Sequence, residues 1–412
     1  QTCALPIYAA ISMGDGALTQ SNDGNVRYEA TAGNITLGEI STGTAGSTTG
    51  KVVIIATAGS ILDLGVDTST VDITAADLIM TSGTAIGAGS NLLEFGVDNL
   101  STLSANGGTF ISESDSVTVT QLSVSIERVS TTGATSTSTA DAQEDLVTAG
   151  TDSHLVLMTS NGGITVGGGA DAAGIHASGN LCLSTGELTE GSSSNANISI
   201  AASLTSSGNI SLLSKDSITQ TSTVGDVTAS GSGKTIDIKA DASITMGDGA
   251  LTQSNNGNVR YEAATGHITL SEISTGVAGT TTGKVAIIAT VGSIIDAAAD
   301  TSTVDITAAD LILTAGTAIA TSVDRIETAV GQISTLSSAG GSFISENDGV
   351  TVTSLSLTVN RVGSTGAAAT STADTQQDLV TVGAGSHLFL VTTAGSISIE
   401  AGTAASTGID AA

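Results

Sequence analysis

The residues of this chain able to do chemistry are few, and most of them recur at one fixed interval. Ser230-Gly231-Ser232-Gly233-Lys234-Thr235 ends the way a phosphate-binding loop ends. Such a loop needs a glycine five places before Gly233, where Thr228 stands, and a helix N-terminus behind it to meet the phosphate. The next residues, Ile236-Asp237-Ile238-Lys239-Ala240, alternate like a strand, so nucleotide binding is set aside. Gly167 to Gly174 (GGGADAAG) matches neither a dinucleotide loop nor a calcium nonapeptide and reads as a turn. Asp15 and Asp248 sit in Met-Gly-Asp-Gly turns, and nearby Asp23 has Asn256 as its counterpart. Corner carboxylates can coordinate calcium, but an Asx-turn uses the same residues without a metal and is the simpler reading. Across so acidic a chain, weak calcium binding is the one ion interaction expected.

The remaining candidates have structural readings too. His154 and His387 precede Leu-rich strands, while His176 and His267 have no histidine counterpart; no His or Cys spacing suits a transition metal. Cys182 alternates with Leu181 and Leu183, as a strand residue does. Arg27, Glu29 and Lys51, matched by Arg260, Glu262 and Lys284, form a mixed basic and acidic set. Their simplest use is a cross-strand ion pair on an outer face. No catalytic, cofactor-binding or metal-binding residue is assigned, and the chain is expected not to be an enzyme.

The elements that must carry these residues repeat. Met13 matches Met246, Tyr28 matches Tyr261, Phe110 matches Phe343, Arg128 matches Arg361 and His154 matches His387, all at one offset (246 − 13 = 233) and without a gap. Copy one covers 9–241 and copy two 242–412, read as one continuous array. A shorter period lies inside. Gly24-Asn25-Val26 and Gly33-Asn34-Ile35 return as Gly50-Lys51-Val52 and Gly59-Ser60-Ile61, both at the same offset (50 − 24 = 26 and 59 − 33 = 26). Nine such units make 234, close to the long repeat. A third, looser unit follows at Asp77–Thr81.

This pattern predicts an all-β fold, a parallel β-helix (β-solenoid) with turns of about 26 residues, within the range of solenoid repeats. Each strand pairs with its equivalent about 4.8 Å away, and one turn alone cannot bury its apolar face. Gly and Asn ahead of each strand are expected to supply positive-φ corners. About 15 turns give a rod roughly 70 Å long. Thr139–Leu146 and its counterpart Thr372–Leu379 read as one or two helical turns on the outside, beside an excursion loop at Ser130–Ser138. The most divergent window, Ile86–Leu100 against Ile319–Ile333, reads as a surface loop or variable turn.

Composition sets limits. With 39 acidic and 10 basic residues the net charge is −29, which repels nucleic acid and anionic membranes. A mean hydropathy of +0.31 and 40% hydrophobic residues oppose disorder. Aromatics at 2%, with no Trp, suit neither an immunoglobulin-type sandwich core nor sugar stacking. No apolar run approaches the length of a membrane span. Residues 1–8 read as a translated sequencing adapter, because Gln1-Thr2-Cys3-Ala4-Leu5-Pro6-Ile7 is what a common adapter ending encodes and the repeat begins at Ala9. That leaves one cysteine and no proline.

The phrases Gly-Asn-Ile-Thr-Leu (33–37), Gly-Asn-Ile-Ser-Leu (208–212) and Gly-Ser-Ile-Ser-Ile (395–399), with Lys234–Ala240, resemble the β-helical shafts of filamentous-haemagglutinin-like bacterial surface adhesins. The resemblance spans nearly all of residues 9–412. It implies an exported, extracellular shaft that spaces or displays adhesive regions, with a cell surface, polysaccharide or protein receptor as partner. The alternatives are a carbohydrate-active β-helix enzyme of the polysaccharide lyase type, which would draw on Arg27, Glu29 and Lys51, and a calcium-dependent or ice-facing surface-binding module. The Thr-rich piece Thr68-Ser69-Thr70 is too irregular for an ice-binding ladder.

Overall fold

The computed structural model describes residues 9–14, 16–65, 71–186, 195–221, 223–298, 303–400 and 408–411. Expectations placed on residues 1–8, on Asp15 and on Thr68–Thr70 lie outside the described residues. Among the described residues the chain is all β, with no helix and so none long enough to cross a membrane. Most strands join one large parallel sheet. The chain divides into two compact units, residues 1–207 with 362–367, and residues 208–361 with 368–412.

In the first unit the pairing register follows the short period. Val26 lies opposite Val52, and Val52 opposite Leu78, so partners stand one short period apart (52 − 26 = 26 and 78 − 52 = 26). Leu78 then meets Leu100 after a shorter step (100 − 78 = 22). A second column runs Ile35, Ile61, Ile86. All of these side chains are fully buried. Like stacks on like because a register slip of one residue would turn every Ile and Val outward. The second unit repeats the arrangement. Ile236 meets Val259, Val259 meets Val285 and Val285 meets Leu311, while Ile268, Ile294 and Ile319 form the matching second column.

Side-chain acceptors latch one strand start to the next. Asn25 Oδ1 accepts from Lys51 N at 3.0 Å and Asn34 Oδ1 from Ser60 N at 2.9 Å, each 26 residues on. Asn209 and Asn258 do the same for Thr235 N and Lys284 N. The expected positive-φ corners are only partly present. Gly33 has φ +92, but in the Gly24 turn the left-handed residue is Asp23, at φ 57. Gly59 and Gly292 serve close approach instead. A Cβ on Gly59 would lie 2.1 Å from Gly33 O, and one on Gly292 would lie 2.0 Å from Gly266 O.

Two other expectations are corrected. The segments read as helical are extended. Asp141–Gln143 pairs antiparallel with Leu122–Val124, and Thr135–Thr137 with Glu127–Val129, so residues 122–143 form an antiparallel arm in place of a helix beside a loop. In the second unit Asp374–Gln376 pairs with Leu355–Leu357. Helix propensity over so short a segment is a weak preference, and here strand pairing overrides it. The arm's Leu122, Val124 and Ile126 cover Val53, Ile55 and Ile79. This explains why Val52–Ala56, within the strand Lys51–Ala56, is an unbroken apolar run: both of its faces are covered. Of the two readings of the divergent window, the surface loop fails for its second half and the variable turn stands. Leu93–Ser104 and Ile326–Ser337 are the longest strands among the described residues, with Phe95 and Thr328 both fully buried.

Candidate functional site

The basic and acidic set predicted around Arg27 is a clasp between sheet and arm. Arg27 Nη1 donates to Glu29 Oε2 at 2.6 Å on its own strand, and Nε and Nη2 donate to Asp141 Oδ2 and Oδ1 at 2.7 and 3.1 Å. The bonds to Asp141 hold the Arg27 pKa above its usual value. Lys51 is not part of this group; it pairs with its register partner Asp77 at 2.5 Å. In this unit the Lys51 pair is the cross-strand ion pair the sequence suggested, and in the second unit Lys284–Asp310 and Lys239–Glu262 are pairs of the same kind. Asp141 escapes a reading of the sequence because its segment looks helical. The second unit builds the same clasp from Arg260, Glu262 and Asp374. Burial works against the charge of Arg260, but the Asp374 bonds outweigh it, with Glu262 and Asp237 adding, and raise its pKa. A guanidinium held by carboxylates in this way fastens the arm to the sheet, with three of the five Arg27 N–H donors engaged.

The other sequence candidates are also structural. Cys182 is buried in the strand Leu181–Thr185 against Val156 and Val362, and burial pushes its thiol up to about 12. His154 Nδ1 accepts from Asn180 N at 3.0 Å, and His267 Nδ1 from Ser293 N at 3.0 Å, both 26 residues on. These histidines occupy the latch position of Asn25 and Asn34. Burial lowers the His154 pKa, which suits a neutral ring accepting at Nδ1. Thr235 follows Lys234 directly into a strand, so the phosphate-loop reading fails where the helix should begin. Asp23 Oδ1 accepts from Thr48 Oγ1 and Thr49 N, and Asn256 Oδ1 from Thr282 N, so a turn is what the two positions share.

Two carboxyl features escaped the sequence. Asp63, Asp72 and Glu94 place one oxygen each within 4.8 Å of the others, and Asp296, Asp305 and Glu327 repeat this. Oxygen sets of this kind suit a hard cation such as calcium. They also cap backbone. Asp72 Oδ2 accepts from Glu94 N at 3.0 Å, and Asp305 Oδ2 from Glu327 N at 2.7 Å. Each of these pairs is 22 residues apart in sequence, and only the register between strands joins them.

The second feature is a buried glutamate in a core column. Ile73 lies opposite Phe95 and Phe95 opposite Glu113; in the second unit the order is Ile306, Thr328, Glu346. Glu113 accepts from Val97 N at 3.2 Å and Ser114 N at 2.9 Å. Burial, with Asp115 adding, outweighs these bonds and raises its pKa to about 8. Glu346 takes an extra bond from Thr328 Oγ1 at 2.7 Å, and burial raises it only to about 7. The change of Phe95 to Thr328 in the divergent window thus falls on the carboxyl's neighbour.

A cavity of about 600 Å³ lies beside the second arm, lined by Ser354, Ser356, Thr375, Gln376 and others, with Asp378 its one ionisable residue. A single carboxyl among hydroxyls and amides does not supply a general acid and base pair. No protein-family model, curated protein or solved structure matches this chain.

Proposed function

We propose that this chain is a segment of a parallel β-solenoid shaft with a short repeating turn, working as a stiff spacer in an exported bacterial surface protein of the filamentous-haemagglutinin-like kind. The observation that carries the reading is the register. Strand after strand meets its own equivalent, with Val and Ile columns inside and Asn or His latches at an interval of 26 residues. A unit defined only by its neighbour can be repeated without limit, which is what a spacer requires. The arms add an antiparallel layer to the sheet face, and the ion clasps fasten them. The partner in this reading is a cell surface, polysaccharide or protein receptor reached by the shaft's far regions.

Small-angle X-ray scattering on the full chain tests it. The expected profile is a rod whose length follows about 4.8 Å per turn. A compact globular profile, or beads on a string, would refute the solenoid and with it the spacer.

The carboxylate clusters favour a second reading, a calcium-dependent surface-binding module. In that reading millimolar calcium raises the unfolding midpoint, and Asp305→Asn together with Asp72→Asn abolishes the shift. An unchanged midpoint in the parent chain removes this reading and leaves the shaft untouched.

A further inference from the structure

The two arms are built alike but end differently. In the second unit the arm's outer strand meets the strand Ile236–Ala240. Arg361 Nε donates to Asp237 Oδ2 at 2.6 Å, Asn360 N donates to Thr235 Oγ1 at 2.8 Å, and that hydroxyl lies 3.4 Å from Asn360 O. Asp237 is completely buried in this contact. The first arm carries Arg128 at the matching position, since 361 − 233 = 128. Its tip is folded the same way. Thr137 Oγ1 donates to Glu127 Oε1 at 2.5 Å, as Thr370 Oγ1 donates to Asn360 Oδ1 at 3.2 Å. Yet Arg128 Nε is buried and has no hydrogen-bond partner among the described residues. A buried guanidinium nitrogen left without an acceptor is costly. The position that would supply the acceptor, 237 − 233 = 4, holds Ala4, which has no carboxylate.

We infer that the first arm is a docking clasp for one more repeat of this chain's own kind, joined ahead of Ala9. It takes a parallel strand reading Thr-x-Asp, with the threonine hydroxyl on the Glu127 backbone and the carboxylate on Arg128 Nε. The sheet below such a strand continues through Val26–Ala30, whose counterpart Val259–Ala263 pairs in register with Ile236–Ala240. Each arm therefore fastens the repeat that precedes it, through an acid and hydroxyl pair that only a strand in the right register presents. Repeat equivalence and the unpaired nitrogen point to this clasp whatever the shaft displays.

The test is the full chain with residues 1–8 replaced by a copy of residues 208–241, which restores the register with Ala9. Hydrogen exchange is compared with the parent chain, and Arg361→Ala in the second unit serves as the reference for losing such a contact. The expected result is protection of the grafted strand and exchange in residues 127–137 slowed about tenfold, the scale of one charge-assisted bond. Arg128→Ala, or Asn in place of the grafted copy of Asp237, returns that exchange to the parent rate while the grafted strand stays protected. A protected graft with unchanged exchange in the arm overturns the inference. So does an arm slowed equally with and without Arg128, and so does a graft that never becomes protected.

Discussion

The Arg260 clasp yields a prediction about order as well as size. Arg260 is bidentate to Asp374 at 2.7 and 3.2 Å, and it also meets Glu262 at 2.6 Å and Asp237 at 3.5 Å. Side-chain exposure is 10% for Arg260, 16% for Asp374, 18% for Glu262 and 0% for Asp237, so every charge here has given up most of its water. Asp374→Ala removes two charge-assisted bonds but leaves the cation paired with Glu262, which places the loss at ~1.5 kcal/mol, the low end for such contacts. Arg260→Ala leaves Asp374 without a cation while facing two other carboxylates. Glu262 retains Lys239 and Asp237 retains Arg361, which holds the cost to ~3 kcal/mol, again the low end for breaking a buried pair. The double variant then falls short of the sum by about 1.5 kcal/mol. Local opening of residues 355–376, measured by native-state hydrogen exchange, isolates the arm from unfolding of the rest. If Asp374→Ala costs as much as Arg260→Ala, or the two effects add within about 0.5 kcal/mol, the clasp is not holding the arm.

Four further outcomes are expected. Glu113, raised from 4.5 to about 8, binds its proton more tightly folded than unfolded, so its contribution is complete below about pH 4.5 and is lost as pH rises toward about 8. Urea unfolding across this window should show Glu113→Gln gaining on the parent chain as pH rises, and Phe95→Thr should bring the Glu113 carbon-13 titration down toward that of Glu346; a titration that stays put would show that residue 95 does not set the shift. His267→Asn should be neutral, because Asn34 latches its turn with the same geometry, whereas His267→Ala should cost about 1 kcal/mol in urea unfolding; equal effects would deny the latch. Ile126→Ala should loosen the first arm by about 2–4 kcal/mol, read as faster exchange in residues 122–143, since Ile126 is packed with Val53 and Ile79.

Much of the parallel pairing is legible in the order of residues alone. The interval from Gly24 to Gly50 and from Gly33 to Gly59 is the interval of the register itself, because a residue buried against its own equivalent must recur with it. The arms are not legible in the same way. Asp141-Ala142-Gln143 carries helix-forming residues, and its strand state comes from pairing with Leu122–Val124, well upstream in the chain. The glycines mislead for a related reason. Gly59 is required by the backbone of Gly33 passing beneath it, a contact no local turn rule contains.

The candidate site divides along the same line. The class of element, the columns of Ile and Val, and the simpler reading of Cys182 as a strand residue all follow from residue order, because these depend on alternation along one strand. Which charges meet is a matter of how strands stack and where the arm folds back. Arg27 and Asp141 are 114 residues apart, Arg361 and Asp237 124 apart, and the carboxylates of Asp72 and Glu94 touch because two strands lie in register. Side chains on one strand announce themselves by spacing. Side chains brought together by stacking and by a folded-back arm do not, because their separation along the chain records the length of the intervening turns and nothing of their chemistry.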